Sequence, residues 1–249
     1  MPIDMIVGLS LPVIFFAMMA LEALIGGGRT MPAVRGWRLI GAAALTVTLL
    51  CNALLPLFLL TILPQFQVMS LADLGFWAAV PVVVLTTFFT YWSHRIQHRF
   101  DFLWRLGHQL HHGVARVDIA SAMIFHPIDL VVQITMTLLA GILLGVTPEA
   151  AAVAGGLGFF IAVFQHWNIA TPQWVGLIIQ RPEAHMLHHE RDVHARNFGD
   201  MPVWDMIFGT YAKPVNPQVE IGFAPEAMRR WPAMIACIDV NKGSGRDRL

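Results

Sequence analysis

Apolar positions in this chain fall in long unbroken runs, not at the 3.6-residue spacing of an amphipathic soluble helix. Five runs are long and apolar enough to cross a bilayer, which takes about 20 residues of helix. They cover about 3–25, 37–63 (interrupted by Pro56), 71–92, 126–146 and 150–164. The last is rich in Ala and Gly, which predicts a closely packed interior helix. A soluble all-helical core would show polar faces within these runs, and segments such as 37–63 show none. The expected fold is therefore an all-α integral membrane bundle of about four to five spans. A helical, histidine-rich cap on the cytoplasmic side completes it. One membrane-embedded domain covers 1–249. Residues 1–92 form the first three spans, 93–125 a cytoplasmic segment, 126–170 the last two spans and 171–249 the cap. The start of the chain, Met1-Pro2-Ile3-Asp4, lacks a basic leader, so the first span is expected to remain in place.

Composition agrees with this pattern. Of 249 residues, 56% are hydrophobic and only 13% charged, with 16 basic and 16 acidic side chains. That excludes a disordered chain. The missing basic excess argues against nucleic acid as a partner. Two cysteines, Cys51 and Cys237, are too few for a disulfide framework or a Cys-rich zinc site.

Charge placement orients the spans. In a five-span arrangement every Lys and Arg lies on one side: Arg29, Arg35 and Arg38, then Arg95, Arg99, Arg105 and Arg116, then the nine that follow span five. The other side carries only Asp4, Asp73 and Glu149. The positive-inside rule makes the basic side cytoplasmic and puts the N-terminus outside. All 11 histidines, between His94 and His194, fall on that same side.

The histidines are clustered: His94-Arg-Ile-Gln-His98, His108-Gln-Leu-His111-His112 and His185-Met-Leu-His188-His189. On a helix, residues three or four apart share a face, so the first histidine of each box can pair with the later ones. A lone interfacial histidine is most often a solvated side chain. Three boxes on one face would leave many ring nitrogens in need of partners unless they bind metal. Imidazole suits Fe, Zn, Cu and Ni. Eight imidazoles exceed one four-coordinate zinc. Two six-coordinate ions would leave positions open for water or oxygen. No Glu-x-x-His spacing suggests a carboxylate di-iron bundle, and no His-Glu-x-x-His zincin motif is present.

At these boxes the sequence resembles the fatty acid hydroxylase / sterol desaturase superfamily of integral membrane di-iron enzymes. The resemblance extends to Asn197-Phe198-Gly199 and to 204–210, and covers roughly 91–211. It implies that His94, His98, His108, His111, His112, His185, His188 and His189 hold two non-haem irons, with His166 as a ninth ligand. His126, His194, Asn197 and Asp205 are expected to support those ligands from behind or to reach a metal themselves. No catalytic residue beyond the ligands is expected. Asp118 and Asp129, with Asp192 and Asp205, are candidate acceptors for ring N–H groups. Aromatic and Met side chains near the boxes, such as Phe125, Phe164 and Trp167, are candidates for an apolar pocket, although such residues are more often plain packing.

The implied activity is oxygen-dependent hydroxylation or desaturation of a lipid C–H bond of sterol, fatty acyl or sphingoid type, with dioxygen as co-substrate. No dinucleotide fingerprint and no haem or iron–sulfur cysteine pattern is present. Electrons are expected from a separate reductase, ferredoxin or cytochrome. The competing readings are a membrane zinc hydrolase, a non-catalytic haem- or metal-binding membrane protein, and a metal transporter. A transporter would need ionisable groups along the membrane interior, and the runs offer little beyond Glu22 and Asp129.

Overall fold

A computed structural model describes residues 1–214 and 219–241. Its long helices are α1 (Ile3–Ile25), α2 (Trp37–Ile62), α3 (Ala79–Arg99), α6 (Pro127–Leu143) and α7 (Pro148–Gln165). Shorter helices are α4 (Asp101–Leu103), α5 (Gln109–His112), α8 (Pro182–His188), α9 (Pro202–Ile207), α10 (Pro225–Met228) and α11 (Trp231–Ile235). Among the described residues there is no strand, only an isolated bridge between Glu190 and Ile221.

Among the described residues, four helical stretches are long and apolar enough to cross a membrane: Ile3–Ile25, Trp37–Ile62, Ala72–Arg99 and Pro148–Gln165. The third is a 3-10 segment, Ala72–Ala78, kinked at Gly75 (φ 53°), that runs into α3. It continues past the expected end near Trp92, so His94 and His98 stand on the helix itself.

The run expected as a span over 126–146 forms only the 17-residue helix α6. That is roughly 25 Å, less than the ~30 Å hydrocarbon core. Gly145 (φ 54°) stops it early. The Val146 N–H bonds the Gly141 carbonyl and the Gly145 N–H that of Ile142, which is the Schellman end that a left-handed glycine permits. Thr147 then caps α7, with Pro148 in its first turn.

Packing orders the long helices as α1, α7, α3, α6, α2. Small residues let α7 sit close to α1: a Cβ on Gly156 would come 2.8 Å from a Val7 methyl. Alternate helix ends meet at one end of the bundle. There the Gly28 N–H bonds the Asn168 carbonyl (2.7 Å), joining the ends of α1 and α7. The Trp37 indole at the start of α2 bonds Asp118 (2.8 Å). At the opposite end, Val68 and Leu71 bond the last carbonyls of α6. The end of α3, the start of α6 and the end of α7 therefore converge, and the shorter helices cover them.

Candidate metal centre

The chain from Asp101 to His112 is one continuous helical arm. α4 passes through a π turn, Trp104–His108, into α5. Such turns are often found at functional sites. Here the turn carries the first histidine of the second box. α8 presents the third box, and His166 follows the last residue of α7.

Nine imidazoles converge as two groups. His94, His98, His108, His112 and His188 form one; His111, His166, His185 and His189 form the other. Within each group the ligand-capable nitrogens lie within 4.8 Å of one another. Each His-x-x-His-His box is divided between them. In the second box, His108 and His112 join the five-imidazole group and His111 the other. In the third, His185 and His189 join the four-imidazole group and His188 crosses over. The reason is helical geometry. Residues i and i+4 lie about 40° apart around the axis, while i+3 lies about 60° to the other side. His112 and His189 stack across the boundary with ring centroids 4.4 Å apart.

Five rings are fixed from behind through Nδ1. His94 donates to the Phe198 carbonyl (2.7 Å), His111 to that of Ile124 (3.2 Å), His166 to that of Ala162 (2.7 Å) and His188 to that of Arg196 (2.9 Å). His108 meets the Asp129 carboxylate (3.0 Å), which Gln97 holds on its other oxygen (3.0 Å). A carbonyl only accepts, so Nδ1 carries the proton and Nε2 keeps a lone pair. Those lone pairs face other imidazole nitrogens. His112 Nε2 lies 3.1 Å from His108 Nε2 and 3.0 Å from His188 Nε2, and His185 Nε2 lies 3.2 Å from His166 Nε2. Crowded, inward-facing lone pairs with donors tied outward are a donor set for cations.

Electrostatics agrees with that donor set. Burial, reinforced by neighbouring imidazoles, holds His111, His112, His185, His188 and His189 well below the usual histidine range. Burial also lowers His166 to about 4. Neutral nitrogen is the form that ligates metal.

The other expected site residues lie outside both groups. His126 has both nitrogens committed: Nδ1 accepts the Ile128 N–H (3.2 Å) and caps α6, and Nε2 donates to the Ile235 carbonyl (3.0 Å). His194 lies against the five-imidazole group, its ring 5.0 Å from those of His112 and Trp104. Asn197, in a left-handed conformation (φ 55°), bonds the carbonyls of Ala184 and Ala212 and the Ala212 N–H. It ties α8 to the following loop. The Asp205 carboxylate accepts the N–H groups of Phe198 and Gly199 (2.8 Å each) and the Thr210 hydroxyl (2.7 Å). It thereby sets the carbonyl to which His94 donates.

Of the four candidate aspartates, Asp129 alone contacts a box histidine directly. Asp118 instead holds Trp37, Arg116 and the Ser121 turn. Asp192 lies 3.5 Å from the Asn241 amide. Phe125 stacks on His111 (4.4 Å), and with Phe164 and Trp167 it borders the buried cluster of Phe15, Met18, Leu45, Met123 and Phe159.

Three contributors were not anticipated. Gln97 and Gln109 stand inside the boxes, and their placement there was the available signal. Gln109 is fully buried and clasps the C-terminal segment, donating to the Ile238 carbonyl (3.0 Å) and accepting the Val240 N–H (2.9 Å). Arg29 gave no signal. It is buried against the turn after His166, bonding Asn168 Oδ1 (3.1 Å) and the Trp167 carbonyl (3.2 Å).

Comparison with known proteins places the chain among lipid-modifying relatives by sequence. Ornithine lipid hydroxylase OlsE from Rhizobium tropici is 29% identical over 159 residues, which is 62% of this chain and 48% of that protein. The chain thus matches about half the length of this relative. No solved structure matches. The model of the fatty acid hydroxylase family matches residues 79–210, more than half of the chain and the whole span of the nine converging histidines. This chain belongs to the fatty acid hydroxylase family.

Proposed function

We propose that this protein is an oxygen-dependent di-iron hydroxylase acting on a C–H bond of a lipid. The observation that carries the reading is the division of nine inward-facing imidazoles into adjoining groups of five and four. Among the described residues, no carboxylate belongs to either group. A five-nitrogen set exceeds the tetrahedral environment of structural zinc and suits a six-coordinate ion with a position left open. We assign His94, His98, His108, His112 and His188 to one iron and His111, His166, His185 and His189 to the other. His126, His194, Asn197 and Asp205 support them without ligating.

When bound, two such irons supply the reduction of dioxygen and the attack on an unactivated C–H bond. One oxygen atom enters the product as hydroxyl. The other leaves as water, using two electrons and two protons. A separate reductase, ferredoxin or cytochrome provides the electrons. The protein orients five of the rings through their Nδ1 bonds and excludes water around the site by burial. Its cluster of Phe125, Met123 and Phe159 offers an apolar border for hydrocarbon beside the four-imidazole group. The basic side is assigned to the cytoplasm and the N-terminus to the outside. Hydroxylation is favoured over desaturation by the hydroxylase named among the relatives, and ornithine lipid is the first substrate to assay.

The test compares lipid extracts of a host expressing the wild type or His188→Ala, grown under isotopically labelled dioxygen. The expected result is a hydroxylated lipid present only with the wild type and carrying one labelled oxygen. Product formed under argon without reductant, or a hydroxyl without label because its oxygen came from water, would overturn the proposal.

A further inference from the structure

Two segments of the expected cytoplasmic cap carry apolar side chains outward without belonging to any span. The first, 171–180, contains no Asp, Glu, Lys or Arg. It exposes Trp174, Leu177 and Ile178, with Leu177 75% exposed. The second is α9, which exposes Met206 and Ile207, the latter at 61%. Its one charged residue, Asp205, is fully buried and spent on backbone N–H groups. The two segments contact one another. Contiguous exposed apolar surface of this kind marks a binding face.

The depth of α9 identifies what covers it. The Trp204 indole donates to the Thr87 hydroxyl (3.1 Å), and the Trp204 ring meets that of Phe88 (5.1 Å). Thr87 lies five residues before Trp92, where the apolar run of this span ends, so it sits roughly 7 Å inside that end. On α3, Val80 (54% exposed) and Val84 (40%) form an outward stripe at helical spacing. The next position of that stripe is Phe88, and there Trp204 and Phe208 take the place of lipid. The outer side of α9, with Met206 and Ile207, therefore stands where acyl chains stand one turn lower.

We infer that α9 and the 171–180 segment are immersed in the bilayer interface, with Leu177, Ile178, Met206 and Ile207 in contact with acyl chains. A depth of about 5–10 Å is usual for interfacial amphipathic segments. The loop that sets the Phe198 carbonyl behind His94 is thus anchored at lipid level, not in the aqueous phase. This inference rests on packing and exposure and is independent of the reaction proposed above.

The test places a nitroxide at Leu177→Cys and at Ile207→Cys in the full chain, with Cys51 and Cys237 replaced by Ser. The protein is reconstituted in phosphatidylcholine–phosphatidylglycerol vesicles. Val84→Cys serves as the lipid reference and Glu220→Cys as the aqueous one. The expected result at both sites is a ratio of oxygen to nickel-chelate collisions several-fold above that of Glu220→Cys and close to that of Val84→Cys. Nickel access equal to that of Glu220→Cys would overturn immersion. Loss of collisions with both agents would also overturn it, by showing that another protein surface covers the face. The two sites lie on separate segments, so one misfolded variant still leaves a decisive measurement at the other.

Discussion

The two imidazole groups are built from the same boxes but supported differently. The five-imidazole group includes a ring backed by a carboxylate, His108 on Asp129, besides two backed by carbonyls. In the four-imidazole group, His111 and His166 are backed by carbonyls alone. The five-membered group lies against Trp104 and His194, whereas the four-membered group adjoins Phe125 and the apolar cluster between α1, α2 and α7. Repeated motifs therefore need not make equivalent sites. One group has more nitrogen and a charged support. The other has fewer ligands and an apolar neighbour, the combination expected where hydrocarbon approaches.

The comparison breaks most sharply when one histidine is removed from each group. His111→Ala and His188→Ala are each expected to abolish hydroxylation while the chain remains inserted. Product analysis by mass spectrometry and iron content per chain check this; full activity in His188→Ala would refute the assignment. His194→Ala, outside both groups, is expected to retain partial activity.

Asp129→Asn tests the unequal support. Removing the charged acceptor behind a ligating histidine typically lowers metal affinity by about 10–100-fold. The loss is expected in the five-imidazole group alone, read as one weakened and one unchanged step in an anaerobic iron titration. Equal weakening of both steps would show that the groups share their support.

The neutral imidazoles also predict a pH dependence for the metal-free protein. Burial holds His111, His112, His185, His188 and His189 well below 6.5, and His166 at about 4. The unfolded chain takes up protons as pH falls through its ordinary histidine value, while the fold does not. Stability is therefore complete above that value and falls as pH drops below about 6.5, down to the folded values. The thermal midpoint should fall between about pH 7.5 and about pH 5.5. A midpoint independent of pH across that interval would contradict neutral burial.

The smallest effect is expected at Arg29. Arg29→Gln leaves acceptors of the turn after His166 without donors, at a cost of about 1–3 kcal/mol. A lowered thermal midpoint, with iron loss confined to the four-imidazole group, checks it.

Much of this arrangement was legible in the chain. The ends of α1 and α2 follow directly from their apolar runs, and nine of the histidines gather at one end. The nine converging histidines are the nine expected to act together. The division of each box was not legible. Spacing shows that His108 shares a side with both His111 and His112, but the partners beyond each flank come from distant segments. The supports behind the rings were hidden for a different reason. They are mostly main-chain carbonyls, at Ile124, Ala162, Arg196 and Phe198, which any residue type supplies. The shortness of α6 turned on a single left-handed glycine within an otherwise uninterrupted apolar run.

In the proposed function, nine imidazoles hold two iron ions side by side. Its most direct test is metal analysis of protein purified anaerobically and loaded with ferrous iron. Two irons per chain are expected, falling to one in a variant that lacks both His166 and His185. One zinc per chain, or a single iron unaffected by that double replacement, would contradict it.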